Sequence, residues 1–289
     1  MMMRFAITAS DRYMGVFEAF INAGWQPVKL FTSPDNSITH HSKAVVEYAQ
    51  RLGLDVQFSR LTKSDLDDLA QRGCDVLIIA SYAWRIPDWQ PYLKYAINFH
   101  PSLLPDGRGP YPIVQALLDE KKTWGITCHK VTEAFDAGDI LDNRTFPIAD
   151  DECHESLDLK IQIAARQLAH QVAIDFSELW DNAKPQGTGS YTTLWSDQDR
   201  TIDFSETTAD ILRRLRAFGL IECIADINEV TISIKRAVGW TESHQYVPGT
   251  PIHVNGLSIV VAVKDGYIGI IEWSLLDPNA ATEKILHAL

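Results

Sequence analysis

Apolar positions in the first half of the chain come in short runs separated by amphipathic stretches. Arg4–Thr8, Val28–Phe31, Val56–Phe58 and Val76–Ala80 read as strands. Tyr13–Ala23, Lys43–Leu52 and Lys63–Arg72 read as helices, the first with Val16, Phe17, Phe20 and Ile21 at helical spacing and Gly24 to close it. Strands alternating with helices imply parallel crossover units. The expected fold is therefore α/β, a doubly wound, mostly parallel sheet with ligands at the carboxyl ends of its strands. Farther along, Tyr111–Asp119 reads as a helix, with Pro112 tolerated in its first turn, and Thr123–Val131 and Ile140–Pro147 read as strands. A long helix follows Asp150 and Asp151 and runs to about Trp180, with Leu157, Ile161, Ala164, Leu168, Val172, Phe176 and Leu179 on one core-facing stripe.

The pattern changes at Lys184-Pro185-Gln186-Gly187-Thr188-Gly189-Ser190, a composition break that reads as a linker. Beyond it lie one helical stretch, Thr208–Ala217, and then short alternating runs at Val230–Ile234, Pro251–Val254, Leu257–Val263 and Tyr267–Trp273. Asn255-Gly256 and Asp265-Gly266 are hairpin turn signals, so these runs predict a small all-β unit. The expected division is 1–183, a linker over 184–200, and 201–289.

Composition narrows the partners. No apolar run approaches the roughly 20 residues that span a bilayer, and Met1–Thr8 is too short for a signal peptide, so a cytoplasmic address without membrane contact is expected. The four cysteines show no paired metal spacing, and no zinc or haem motif is present. The formal net charge is −12, which repels phosphate backbones. Thr201–Leu289 holds seven Lys/Arg against eleven Asp/Glu, so the C-terminal part is no basic arm. The loop after the first strand, Ala9-Ser10-Asp11-Arg12, lacks a Gly-x-Gly-x-x-Gly fingerprint, which argues against a dinucleotide.

Chemistry concentrates between Ala96 and Leu141. In Asn98-Phe99-His100-Pro101 an apolar strand ends in Asn and His one residue apart, so both side chains point the same way, and Pro101 stops the strand. Phe135-Asp136-Ala137-Gly138-Asp139 is a tight acidic turn between two apolar runs; if those runs are neighbours in one sheet, Asp136 reaches the same crevice. Asn and protonated His can donate to an oxyanion, and a carboxylate can hold the His charged or relay an amine proton. His129, in mid-strand, reads as a structural histidine.

This stretch resembles the catalytic core of the 10-formyltetrahydrofolate-dependent formyltransferases, in which Asn-x-His-x-Ser-Leu-Leu-Pro precedes an Asp-x-Gly turn. The matching residues are Asn98, His100, Ser102, Leu103, Leu104, Pro105, Asp136 and Gly138. The resemblance implies Asn98, His100 and Asp136 as catalytic residues. It implies a pterin pocket at Tyr82, Trp84, Arg85, Ile86, Val131, Phe135 and Asp139, and acceptor contacts at Ser10, Ser102 and Arg108. The β unit resembles the OB-type barrel appended to several of these enzymes. The implied reaction moves a formyl group from 10-formyltetrahydrofolate to a primary amine, with no metal.

The acceptor is read from a departure. In the enzymes of this plan that formylate initiator methionyl-tRNA, the loop after the second strand is long, basic and glycine-rich; here Ser33–His41 has no Lys or Arg. Together with the acidic C-terminal part this favours a small amine, such as a nucleotide-linked amino sugar, over tRNA. Methionyl-tRNA formylation and hydrolysis of 10-formyltetrahydrofolate are the alternatives. Arg213, Arg214 and Arg216 on the Thr208–Ala217 helix either face an anionic acceptor or line a solvated face. Monomer and homodimer stay equally open.

Overall fold

The computed structural model describes residues 2–34 and 41–276. It divides into two units: Met1–Pro112, Lys122–Ile148 and Asp158–Thr192 form the first, and Ile113–Lys121, Ala149–Leu157 and Thr193–Leu289 the second.

The first unit is built on β1 (Arg4–Ala9), β2 (Gln26–Phe31), β3 (Asp55–Gln57), β4 (Val76–Ala80), β5 (Tyr95–His100), β6 (Thr123–Lys130) and β7 (Ile140–Pro147). They form one sheet in the order β3-β2-β1-β4-β5-β6-β7. The first five are parallel, and β6 and β7 are antiparallel to their neighbours. Helices α1 (Met14–Asn22), α2 (Lys43–Arg51) and α3 (Lys63–Gln71) lie in the crossovers. The chain builds outward from β1 to β3 and then returns to the other side of β1, so strand order reverses between β1 and β4, where such sheets place ligands. α3 opens on a capping box: Thr62 Oγ1 accepts from Asp65 N–H, and the Asp65 carboxylate accepts from Thr62 N–H.

Central β1 is wholly buried beyond its first residue, and Phe5 packs in tilted and edge contacts on Phe17, Phe20 and Trp25 at 5.8–6.2 Å. The Trp25 indole N–H donates to Ala173 O at 3.1 Å, inside α5 (His154–Asp181), preceded in the chain by α4 (Pro112–Leu118). Two residues on, Asp175 leaves helical geometry (φ −104°, ψ 21°). A carbonyl drawn toward a side-chain donor is an established cause of such a kink.

The second unit holds α6 (Asp197–Arg200), α7 (Thr208–Phe218), β8 (Cys223–Ile227), β9 (Val230–Thr241), β10 (Pro251–Val254), β11 (Ile259–Val263) and β12 (Gly266–Leu275). The strands form an antiparallel sheet in the order β10-β11-β12-β9-β8. Asn255 makes the β10–β11 turn, its Oδ1 accepting from Leu257 N–H and Ser258 N–H. The β11–β12 turn consists of Lys264 and Asp265, one position earlier than the Asp-Gly signal suggests, because Gly266 already pairs with Val263. Gly266 serves close approach instead: a Cβ there would lie 2.1 Å from Trp240 O on β9. Burial pushes the Cys74 thiol up to about 11 and Cys223 up to about 12, and no cysteine is bonded to another.

The stretch 184–200, expected as a linker, is tied into the first unit as far as Thr192. Lys184 exchanges both backbone bonds with Ile140 at 2.8 Å, and Thr192 N–H donates to Arg108 O at 2.7 Å. Its glycines and proline signal irregular backbone, and the hydrogen bonds that irregular backbone makes are invisible in composition. The loop Ser33–His41 has residues 35–40 outside the described residues. Among the described residues no helix is long and apolar enough to cross a membrane.

Gly266→Ala should destabilise the protein by about 1–3 kcal/mol, because the added methyl must push β9 and β12 apart. Urea denaturation followed by circular dichroism reads this directly; a midpoint equal to that of the wild type would contradict the close approach.

Candidate active site

β5 and β6 set the site. Asn98 pairs across the ladder with His129, and His100 with Thr127, so Asn98, His100 and His129 share one face of the sheet. Val131 N–H donates to Ala96 O, so the turn between β6 and β7 starts beside the first residues of β5. It folds back over the shared face and brings Asp136 onto it. The three expected catalytic groups thus meet on a sheet face, beside a fourth, rather than purely at strand ends.

The Asp136 carboxylate is the hub. Its Oδ1 accepts from Asn98 Nδ2 at 3.1 Å and lies 3.5 Å from His100 Nδ1 and 3.6 Å from His129 Nε2. Its Oδ2 accepts from Gly109 N–H at 2.9 Å. The backbone of Asp136 is left-handed (φ 52°), a conformation that Asp tolerates better than most residues.

The partners of the rings fix their protons. His129 Nδ1 lies 2.8 Å from Lys130 O, so it carries a hydrogen; its Nε2, 3.1 Å from Asn98 Nδ2 and 3.6 Å from Asp136 Oδ1, accepts from the amide when the ring is neutral and faces the carboxylate with a hydrogen when the ring is charged. His129 therefore belongs to the polar cluster, which its mid-strand position concealed; the cross-strand register was the missing signal. His100 Nε2 donates to Gly107 O at 2.7 Å, which leaves Nδ1 facing the carboxylate. Burial lowers the pKa of His100, against the pull of Asp136 and the bond to Gly107, with His129 adding to the lowering. For Asp136 burial acts upward, but His129, the charge of His100 and the Gly109 N–H outweigh it and hold the carboxyl down to about 2.

The loop after β5 is anchored to β6: Thr127 Oγ1 donates to Ser102 O at 2.7 Å and accepts from Leu104 N–H at 3.2 Å, and Trp124 Nε1 donates to Pro101 O. Ser102 is fully buried and its hydroxyl has no hydrogen-bond partner among the described residues. Ser10 is also buried. Arg108, expected to meet an anion, is held by Gln186: its Nε and Nη2 lie 3.0 and 2.8 Å from Gln186 Oε1, and Nη2 also donates to Gly187 O.

The expected pterin residues fall into two groups. Tyr82, Ile86 and Val131 are partly buried against one apolar cluster, and Trp84 packs edge-on to Tyr82 at 5.2 Å. Tyr82 Oη accepts from Leu61 N–H at 2.6 Å. Phe135 is exposed, with the Arg85 guanidinium 5.6 Å over its ring and donating to Glu133 O. Asp139 lies 3.6 Å from Lys130 Nζ. In the second unit Arg213 bridges Glu120 and Asp210, and Arg214 pairs with Glu206.

Comparison with known proteins agrees with this arrangement. Residues 23–173 match the formyl transferase family model, and residues 195–283 match that of the formyl transferase C-terminal domain. The methionyl-tRNA formyltransferase of Sulfurimonas denitrificans is 28% identical over 264 residues, covering 89% of this chain and 85% of that protein. That of Hahella chejuensis is 25% identical over 273 residues, covering 90% and 85%. Among solved structures, an N-formyltransferase from Helicobacter canadensis, in complex with folinic acid and dTDP-3-aminofucose, superposes with a TM-score of 0.68 at 16% identity. It covers 95% of this chain and all of that one. HypX from Aquifex aeolicus in complex with tetrahydrofolic acid gives 0.65 at 19% identity, covering 96% and 45%. These two likenesses show the fold. Because the curated relatives are methionyl-tRNA formyltransferases, the expectation that tRNA is unlikely is not supported by this comparison.

Because folding lowers the Asp136 pKa, its ionised form favours the folded state at every pH above the unfolded value of about 4. That contribution, roughly 2 kcal/mol, is lost as the pH falls from about 4 to about 2. His100 acts in the same direction from about pH 6.5 downward, since burial favours its neutral form. Urea unfolding at pH 7, 4 and 2.5 should show a shallower acid loss in Asp136→Asn than in the wild type; parallel curves would show that this carboxyl is not the one titrating.

Proposed function

Because the chain belongs to the formyl transferase family, we propose that it transfers a formyl group from 10-formyltetrahydrofolate to a primary amine at the Asn98–His100–Asp136 cluster. The carrying observation is the single carboxylate oxygen within 3.1 Å of Asn98 and 3.5 Å of His100 on one sheet face. The partly buried apolar side chains of Tyr82, Ile86 and Val131 suit a flat heteroaromatic ring, and Arg85 on the exposed side suits a carboxylate tail.

Bound 10-formyltetrahydrofolate supplies the formyl group. Asn98 and His100 offer the hydrogens that stabilise negative charge on the formyl oxygen as the neutral amine adds. Both contacts of Asn98 Nδ2 and both ring nitrogens of His100 meet internal partners in this structure, so donation to that oxygen draws hydrogens away from those partners. Asp136, ionised at neutral pH, favours the charged form of His100 and can receive the proton that the amine loses and pass it to the folate nitrogen as the bond from that nitrogen to the formyl carbon breaks.

For the acceptor, the acidic chain and the loop Ser33–His41 without Lys or Arg favour a small amine, such as an amino sugar carried on a nucleotide. A second reading, formylation of methionyl-tRNA, is favoured by the naming of the curated relatives. The two differ in salt dependence: a tRNA acceptor requires phosphate neutralisation, so its binding weakens steeply as salt rises.

Release of tetrahydrofolate, measured against a panel of nucleotide-linked amino sugars, small amines and methionyl-tRNA, tests the reading. Turnover that requires an amine is expected; equal turnover in buffer alone would make the protein a hydrolase. With the accepted amine, His100→Ala and Asp136→Ala should each lower turnover by at least ~100-fold while the fold persists. Near-normal turnover in either variant would take that residue out of the mechanism.

A further inference from the structure

Two backbone groups orient the catalytic side chains: Gly107 O accepts from His100 Nε2, and Gly109 N–H donates to Asp136 Oδ2. Both belong to the residues that flank Arg108. Whatever fixes Arg108 therefore fixes the two acid–base groups together.

That agent is Gln186. Its Oε1 receives the forked donation of Arg108. Its Nε2 donates to Asp136 O at 2.9 Å and to Gly138 O at 2.7 Å, gripping the acidic turn from behind. One amide thus joins the His100-orienting loop to the turn that carries Asp136. The backbone around it is in close contact: Gly107 N–H donates to Ser190 Oγ at 2.8 Å, and Arg108 exchanges both backbone bonds with residues 190–192. A Cβ on Gly189 would lie 2.0 Å from Pro105 O, and one on Gly109 would lie 2.3 Å from Thr192 O. Among these contacts the Gln186 amide is the one that reaches both catalytic loops.

We propose that Gln186 is a positioning residue, which holds Arg108 and the Asp136 turn in register so that Gly107 O and Gly109 N–H orient His100 and Asp136. The proposal rests on the formyl-transfer reading of the cluster for its purpose, but its geometry can be tested without any acceptor.

The groups facing His100 are Asp136 from the turn and His129 from β6. Releasing Gly107 O removes a bond that favours protonated His100, and releasing Gly109 N–H removes one that holds Asp136 ionised. Full-length protein labelled with ¹⁵N-histidine, as wild type and as Gln186→Ala, is titrated by long-range ¹H–¹⁵N NMR. In the wild type His100 should show the Nε2–H tautomer. In the variant that preference should be lost and the His100 pKa should fall, while the ring signals of His253 in the second unit stay where they are in the wild type. Turnover with an accepted amine should drop by up to ~100-fold through kcat, with tetrahydrofolate affinity unchanged by calorimetry.

A folded variant with an unaltered His100 spectrum overturns the proposal, as does a shift shared by every histidine. If Gln186→Ala does not fold, Gln186→Met, which keeps the volume and drops the four side-chain bonds, takes its place. Failure of both to fold makes the residue a structural staple and the proposal wrong. An acceptor screen that finds no formyl transfer leaves the NMR result standing, so the two readings fail separately.

Discussion

A carboxylate with little exposure to solvent is tolerable only if its charge is met on every side. Asp136 meets this condition with Asn98 and His129 from neighbouring strands, His100 from a strand end and the Gly109 N–H from a loop. The partners come from three places in the sequence, β5, β6 and the loop between them, so the charge can be buried only when these are in register. The same requirement that stabilises the cluster fixes its geometry.

Much of the surrounding architecture can be understood as support for that geometry. Because β6 runs antiparallel to β5, the turn after it begins beside the first residues of β5 and folds back along the face, bringing Asp136 to Asn98 and His100. Thr127 clamps the Ser102–Leu104 backbone, and the segment 184–192 closes against residues 105–109. Of the opposed pulls on His100, burial prevails over Asp136 and the Gly107 carbonyl and lowers its pKa.

The cationic side chains that the sequence offered to an acceptor are largely committed elsewhere. Arg108 is bound by an amide and a carbonyl, and Arg213 and Arg214 are matched by carboxylates. The net charge and these pairings leave little fixed positive charge for a long phosphate backbone at those positions. The curated relatives point the other way, toward tRNA. Charge pairing and overall similarity thus weigh on different parts of the same question, which is why the acceptor is decided by experiment and the formyl chemistry by residues.

Local pattern determined the periodic elements: β7 falls on Ile140–Pro147, as the alternation indicates, and the crossover helices begin and end within a few residues of their apolar stripes. It also identified Asn98, His100 and Asp136, because their order and spacing are properties of the chain itself. Tertiary structure decided what no spacing encodes. His129 joined the cluster through cross-strand register, and Gly266 was required by the approach of Trp240 O rather than by a turn. Residues 184–192 became part of the first unit through long-range backbone bonds to Ile140 and Arg108. Periodicity records which face a residue turns toward the core; the partner it finds there depends on a contact far away in sequence, and only the folded chain supplies that.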